Sequence, residues 1–532
     1  MEGEKIIKVR VERFDASENR EPHYDTYEVP FQFDKMKVLD VLRYIQEKLD
    51  PTLSFTWDCR LWNCGLCGVS VNKRPCSACL TDVKSVMAEE GLLIEPLPNY
   101  PVLKDLIIDR TVEIERHRQI GITYQKGIEI LPLNKIPEPM DPEQIALFRD
   151  WYLACIDCLA CSSACPAFST ATTFIGPHLS VKIAKYLAHP GDKNDRAKQG
   201  SQGGVFQCLN CRRCDLVCPL SLEIRSRTME RLKSEAIENG YAPPAIRNFL
   251  ENSYRSGNPW GLSPQKRADW REELPIPLFD PGKHSLLLYV GDTGSYDTRA
   301  QEATRSLAKI LLKAQVPFGI LGEKEKSDGN EVHRIGEKGL FEEMAKKNIE
   351  AFNALRVKKI VTLSPHAFNT FKNEYPGLGG TYEILHYTHL LRDLLKDGRL
   401  RLNGHRHGTV TFHDSCFLGR YNGEYEAPRE ILKSMPGLKL VEMERHRENG
   451  LCCGGGGGNF VTDLVDVTPR PNNVRLKDVL ATGAGLLAVA CPKCLVMFED
   501  SVKNNGLEGK VVVKDISELV LESLSDVANR SN

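Results

Sequence analysis

Residues 155–166 read Cys155-Ile-Asp-Cys158-Leu-Ala-Cys161-Ser-Ser-Ala-Cys165-Pro166, and residues 208–219 read Cys208-Leu-Asn-Cys211-Arg-Arg-Cys214-Asp-Leu-Val-Cys218-Pro219. Both runs have the spacing C-x2-C-x2-C-x3-C-P, in which two cubane [4Fe–4S] clusters are held and the fourth cysteine of each run ligates the other cluster. Three closely spaced cysteines cap three irons of one cubane, and the proline turns the chain toward its neighbour. The first ligand set is therefore Cys155, Cys158, Cys161 and Cys218, and the second is Cys208, Cys211, Cys214 and Cys165. Structural zinc sites use single tetrahedral sets, and disulfide frameworks belong to small secreted domains. Neither suits two such runs in a chain of 532 residues.

Upstream, Cys59, Cys64, Cys67 and Cys79 are spaced C-x4-C-x2-C-x11-C. The first three follow the plant-type [2Fe–2S] loop, which a later cysteine closes. Gly65 and Gly68 beside the ligands let backbone N–H groups approach the cluster. Cys76 also stands near the closing position. The hairpin from Gly68 to Leu80 favours Cys79 from its return strand, with Cys76 a buried thiol. Before this loop, residues 6–13 and the run Tyr24 to Phe33 predict strands, and Val38, Val41, Leu42, Ile45 and Leu49 recur at helical spacing. These apolar residues are expected in the core.

Downstream, proline-rich connectors are expected at about 131–142 and 256–284. Beyond them, apolar strands at Leu286–Val290, Ile360–Leu363 and Leu486–Val489 alternate with helical patterns such as Gln301–Leu312, the order of an α/β region. Its cysteines are Cys416, the adjacent Cys452 and Cys453 followed by five glycines, and Cys491 and Cys494. Adjacent cysteines fit one tetrahedral zinc poorly and suit a cluster with more than four thiolate contacts. No Gly-Lys-Ser/Thr follows Gly454–Gly458, so a phosphate loop is not indicated. The region is also duplicated: Ser364-Pro-His-Ala367 parallels Cys491-Pro-Lys-Cys494, Asp292-Thr-Gly294 parallels Asp414-Ser-Cys416, and Ser327-Asp-Gly329 parallels Cys452-Cys-Gly454. In the first copy the ligand positions read Gly294, Ser327, Asp328, Ser364 and Ala367, so only the second copy is expected to carry metal. His413, Asp414 and Lys493 flank the ligands; hydrogen bonding or packing is the plainer role for each, proton handling the sharper one.

The formal charge of −1 comes from 70 basic and 71 acidic residues without a long run of one sign, which argues against nucleic acid or an anionic membrane as partner. No apolar stretch reaches the length of a bilayer span, and Met-Glu-Gly-Glu-Lys opens no signal sequence, so a cytoplasmic protein is expected, membrane-associated at most through a partner subunit. Length alone predicts several domains.

Residues 1–255 resemble the iron–sulfur subunits of succinate dehydrogenases and fumarate reductases, in the Cys-Arg-x-x-x-Cys-Gly-x-Cys stretch at 59–67, Ser-Ala-Cys at 77–79 and the two Cys-Pro-terminated runs. Residues 285–532 resemble the cysteine-rich CCG domain of heterodisulfide reductases, and the fusion in this order is similar to that of the thiol:fumarate reductases. The resemblance implies a multidomain α+β and α/β chain. It comprises a β-grasp [2Fe–2S] ferredoxin domain at 1–112, a helical domain for two [4Fe–4S] cubanes at 113–255, a linker at 256–284, a cluster-free CCG repeat at 285–400 and a cluster-bearing one at 401–532. It further implies a non-cubane [4Fe–4S] cluster on Cys416, Cys452, Cys453, Cys491 and Cys494, and an FAD-containing flavoprotein partner acting on fumarate or succinate. The terminal redox partner is then a thiol or heterodisulfide, a quinone-reactive subunit or a soluble carrier. Two departures matter. Cys211 stands where succinate dehydrogenases have a non-cysteine residue and a [3Fe–4S] cluster, and heterodisulfide reductases carry two complete CCG motifs where this chain has one. No G-x-G-x-x-G follows a strand, so flavin chemistry is expected on another subunit.

Overall fold

A computed structural model describes residues 6–524 apart from 19, 32–33, 125–140, 190–191, 273 and 404–407. The connector expected at 131–142 lies almost wholly outside the described residues. The chain divides into two compact units, residues 1–208 with 212–241, and residues 209–211 with 242–532.

The N-terminal unit opens on a five-stranded sheet: β1 (Ile6–Arg13), β2 (His23–Pro30), β3 (Gly68–Val71), β4 (Arg74–Ser77) and β5 (Leu92–Glu95), in the order β2-β1-β5-β3-β4. β1 is parallel to β5 and antiparallel to β2. In β1 the period of two puts Ile7, Val9 and Val11 in the core and leaves Ile6, Lys8 and Arg10 exposed. The helix Val38–Tyr44, continued by a wider turn through Leu49, buries Val38, Val41, Leu42 and Ile45 in the same core, whereas Leu49, expected there too, is exposed at the end of the turn. Burial of each such side chain is worth about 1.5–3 kcal/mol. A two-stranded antiparallel sheet of Val102–Lys104 and Ile107–Ile108 follows, and the unit continues with helices that include Thr111–Ile120, Gly176–Leu187, Arg196–Gln202 and Arg231–Glu238.

The C-terminal unit contains two four-stranded parallel sheets. The first comprises β6 (Leu286–Tyr289), β7 (Phe318–Gly319), β8 (Lys359–Thr362) and β9 (Glu383–His386), ordered β9-β8-β6-β7; the second comprises β10 (Gly408–Phe412), β11 (Leu438–Leu440), β12 (Leu486–Val489) and β13 (Val512–Asp515), ordered β11-β10-β12-β13. Read from its edges, each sheet places its first and third long strands side by side at the centre, so the sequence repeat is a repeat of architecture. Leu286–Tyr289 and Leu486–Val489 are buried at every position, as strands covered on both faces must be. The cores of the two copies merge into one cluster. The segment 256–284, expected as a connector, is packed: its turn Pro264–Arg271 buries Trp270 and Arg267, and Arg267 reaches Asp292 at 2.8 Å and Glu325 at 3.2 Å. No described helix is long and apolar enough to cross a membrane.

Candidate iron–sulfur centres

In the first cysteine loop the Cys59 sulfur accepts N–H groups of Leu61 (3.3 Å), Asn63 (3.4 Å) and Cys64 (3.3 Å), and these donors pull its thiol down to about 7. The wrap needs left-handed backbone at Arg60, Trp62 and Gly65. A Cβ on Gly65 would lie 1.8 Å from the Ile156 carbonyl oxygen, so only glycine fits there. Cys79 donates its N–H to the Cys67 sulfur at 3.5 Å, and burial together with Cys67 raises its thiol to about 12. Cys76 lies on β4 opposite Val69, where burial raises it to about 11. Four thiols converging on a loop of N–H donors fit a [2Fe–2S] cluster. Leu61 and Trp62 are 72% and 56% exposed beside them.

The two C-x2-C-x2-C-x3-C-P runs share a backbone pattern. Asp157 and Leu159 in one, and Asn210 and Arg212 in the other, take positive φ at equivalent positions, and each run passes into a short helix, Ala160–Ser163 or Arg213–Val217. Cys161 is buried, and it is raised first by burial and then by the neighbouring thiols of Cys158, Cys155 and Cys218. His178 is buried beside this set, 2.5 Å from Glu113 and 3.1 Å from Asp157; burial disfavours its charge, but the two carboxylates win and raise it. Asn99 donates to the carbonyls of Ser162, Ser163 and Cys165 at 3.0–3.2 Å. Arg213 donates to the Ala164 carbonyl at 3.0 Å, and Lys233 donates to that of Cys208 at 3.1 Å. Cys165, Cys208, Cys214 and Cys218 belong to the N-terminal unit, and Cys211 to the segment 209–211 of the C-terminal unit.

The last group sits where an open parallel sheet binds ligands, outside the C-terminal ends of adjacent strands. Cys416 follows β10, and Cys491 follows the neighbouring β12 as N-cap of the helix Pro492–Asn504, with Cys494 in its first turn. That helix N-terminus favours thiolates. Cys494 and Cys453 have their sulfurs 3.4 Å apart, and the Cys452 sulfur accepts the Gly454 N–H at 3.3 Å. Cys416, Cys452, Cys453, Cys491 and Cys494 are all buried. The glycine run makes room: a Cβ on Gly456 would lie 2.4 Å from the Leu209 carbonyl oxygen. Buried thiols in this number fit a thiolate-bound cluster.

Three flanking residues play different parts. Asp414 holds the buried Arg429 at 2.7 and 3.0 Å and accepts the Arg447 N–H, a structural role repeated in the first copy by Asp292 with Arg267. His413 lies against Cys453 and accepts from Arg475 at 3.4 Å; burial lowers it. Lys493 is paired with Glu331. Arg420, not evident from the sequence, donates to the Cys211 carbonyl at 2.6 Å and lies near the thiols of Cys211, Cys416 and Cys452, which keep it charged in spite of its burial. The Cys211 thiol also neighbours that of Cys452. Arg420 sits four residues after Cys416, a spacing that carries no ligand signal.

In the first copy the corresponding place is a cavity of about 30 Å³, room for one water, lined by Asp292, Ser327, Asp328, Ser364, His366 and Lys493 among others. Burial raises Asp328 to about 6. Its donors are oxygens and nitrogens, a poor match to the soft ligands that iron–sulfur clusters take.

Comparison with known proteins agrees with this geometry. Residues 8–115 match the 2Fe-2S iron-sulfur cluster binding domain, residues 151–222 the 4Fe-4S dicluster domain, and residues 292–372 and 410–499 the cysteine-rich domain. A probable iron-sulfur-binding oxidoreductase of Bacillus subtilis is 36% identical over 70% of the chain, which spans only 59% of that relative's length. One subunit of the CoM/CoB fumarate reductase of Methanothermobacter marburgensis is 29% identical over 98% of this chain and 100% of its own. The crystal structure of a hypothetical protein from Helicobacter pylori shares the fold, with a TM-score of 0.64 and 13% identity over 98% of this chain and 95% of its own.

Proposed function

The chain combines a 2Fe-2S cluster binding domain, a 4Fe-4S dicluster domain and a duplicated cysteine-rich domain, and from that premise we propose that it is the electron-transfer subunit of a fumarate reductase or succinate dehydrogenase type complex. Its clusters supply one-electron transfer when bound. One [2Fe–2S], two cubane and one non-cubane [4Fe–4S] cluster are held by the seventeen cysteines grouped above. The observation that carries the reading is the convergence of five buried thiols in one copy of the cysteine-rich repeat only, in a chain with three further thiol sets upstream.

The exposed Leu61 and Trp62 beside the first set form the docking surface for an FAD-containing flavoprotein, because apolar exposure next to a redox loop favours a protein partner. The terminal partner meets the cysteine-rich end. There a cleft of about 480 Å³ is lined by Trp260, Tyr296, Phe460 and Met497, and Met497 and Phe460 pack on Gly455, two residues beyond Cys453. Thiols or a heterodisulfide are the reading favoured for this partner. Exchange with a quinone-reactive membrane subunit or soluble carrier is the second reading, supported by the oxygen-lined first copy.

The test is Cys452→Ala with Cys453→Ala in the complex with its flavoprotein. Fumarate reduction with a dye that donates to the upstream centres should persist while reduction by the natural donor is lost. Natural-donor activity surviving in this variant would remove the cysteine-rich domain from the end of the relay. Thiols compared with quinols as donors to the unaltered complex decide between the two readings.

A further inference from the structure

Glu331 belongs to the copy without cysteines, in the helix Asn330–Ile335, three residues beyond Asp328, which parallels Cys453. Its carboxylate is part-buried and has three partners from three segments. One oxygen accepts His366 Nδ1 at 2.8 Å and the Lys493 ammonium; the other accepts the Gly458 N–H at 2.7 Å. Lys493 lies between Cys491 and Cys494, and Gly458 ends the glycine run behind Cys452 and Cys453. His366 in turn stacks on Phe417, the residue after Cys416, with ring centroids 4.1 Å apart and planes 29° apart. Glu331 and His366 thus touch all three cysteine loops of the other copy. Moreover, His366 and Lys493 are equivalent residues of the sequence repeat, and both bind this one carboxylate.

Two consequences follow from elementary chemistry. A part-buried carboxylate that holds two cationic or N–H donors and one backbone donor ties their segments together, and removing it takes from each its charged acceptor. A fixed charge in a water-poor site also biases the charge state of a neighbouring redox group, favouring its oxidised form when negative and its reduced form when positive. We propose that Glu331 is a positioning residue for the cysteine-rich centre, holding its three loops together and, with Lys493, setting the charge beside it. This is the task that the copy without thiols retains. The inference rests on the reading that the five thiols hold a cluster.

The experiment is a redox titration of the full-length protein, purified anaerobically and followed by electron paramagnetic resonance of each centre. Glu331→Gln keeps the side chain's size and its acceptor oxygen for Gly458 but removes the negative charge, so the cysteine-rich centre should become easier to reduce. Lys493→Met removes the positive charge and should make it harder to reduce. Each shift is expected to be about tenfold in the reduced-to-oxidised ratio at fixed potential, equivalent to about 59 mV for a one-electron couple. The upstream centres should not move. Loss of the cysteine-rich centre's iron from Glu331→Gln, with the other iron retained, is the stronger form of the same result. Shifts of the same sign in both variants, or no shift in either, overturn the proposal; a damaged fold cannot produce opposite signs. If Glu331→Gln does not fold, an unchanged potential in Lys493→Met alone overturns it. Absence of a fourth centre from the unsubstituted protein is a different failure, that of the underlying reading, and removes both.

Discussion

Ser364 and Cys491 occupy the same structural position in the two copies: each is the N-cap of the helix that follows the third strand of its sheet, and each is followed by proline. The Ser364 hydroxyl accepts the Ala367 N–H at 3.2 Å. A serine there serves the helix, and a cysteine there is free to serve a metal. Anaerobically purified protein should hold about 14 iron per chain, and Cys491→Ala with Cys494→Ala should lower this to about 10. Ser364→Ala should leave the iron at its full value and cost about 1 kcal/mol in stability through loss of the cap. Iron analysis and thermal unfolding check both; a fall in iron for Ser364→Ala would contradict the division of labour.

Gly65 and Gly121 have nearly the same φ, +65 and +68, but of the two only Gly65 is hemmed in, by the Ile156 carbonyl. Alanine at Gly121 should cost about 1–2 kcal/mol, the conformational penalty of left-handed backbone. Alanine at Gly65 must also displace backbone, and should cost more than about 4 kcal/mol and bleach the [2Fe–2S] absorbance. Equal stability of the two variants would show that the contact yields freely.

Much of this was legible in the sequence because cysteine spacing is a local constraint. The runs at 155–166 and 208–219 announce their loops, and the alternation of Ile7, Val9 and Val11 announces β1. The repeat between Ser364-Pro-His-Ala and Cys491-Pro-Lys-Cys announced the duplicated region, and both copies form a four-stranded parallel sheet with the same pair of strands at its centre. What the sequence could not show were pairings between distant segments. Glu331 meets Lys493 across 162 positions, and Arg420 meets Cys211 across 209, with no motif to signal either. The packing of 256–284 was hidden for a related reason: prolines mark irregular backbone, but say nothing of Arg267 finding Asp292 and Glu325.

Asp515 supplies a pH test outside the metal sites. One carboxylate oxygen accepts the Tyr387 hydroxyl at 2.8 Å, the Ser517 N–H at 2.9 Å and the Ser517 hydroxyl at 2.6 Å, while the other is buried with no hydrogen-bond partner among the described residues. Burial raises this acid to about 7. The folded protein therefore keeps a proton that the unfolded chain releases near 4. The associated stability is complete below that lower value and is lost as pH rises through about 7. Unfolding midpoints of the unsubstituted protein should fall as pH rises from about 4 to about 7 and level off above that, and Asp515→Asn, which mimics the neutral acid, should flatten the fall and be more stable at pH 8 by on the order of 2 kcal/mol. A variant less stable than its parent at pH 8 would show that the acid is ionised in the fold.

Cys211 is claimed by two lines of reasoning. Its spacing assigns it to the second cubane with Cys208, Cys214 and Cys165, while its thiol adjoins that of Cys452 and its carbonyl is held by Arg420. If spacing governs, Cys211→Ser should convert that cubane toward a [3Fe–4S] centre, seen by electron paramagnetic resonance in the oxidised state, and lower the iron by about one of 14. Because the Cys211 and Cys452 sulfurs adjoin, the cysteine-rich centre should remain but with displaced g values. Loss of about four iron together with that centre's signal would instead make Cys211 one of its ligands. A stoichiometric [3Fe–4S] signal in the unsubstituted protein, before any exposure to oxygen, would refute the four-thiolate set from the other side, since a cluster with Cys211 among its ligands has no reason to lack its fourth iron.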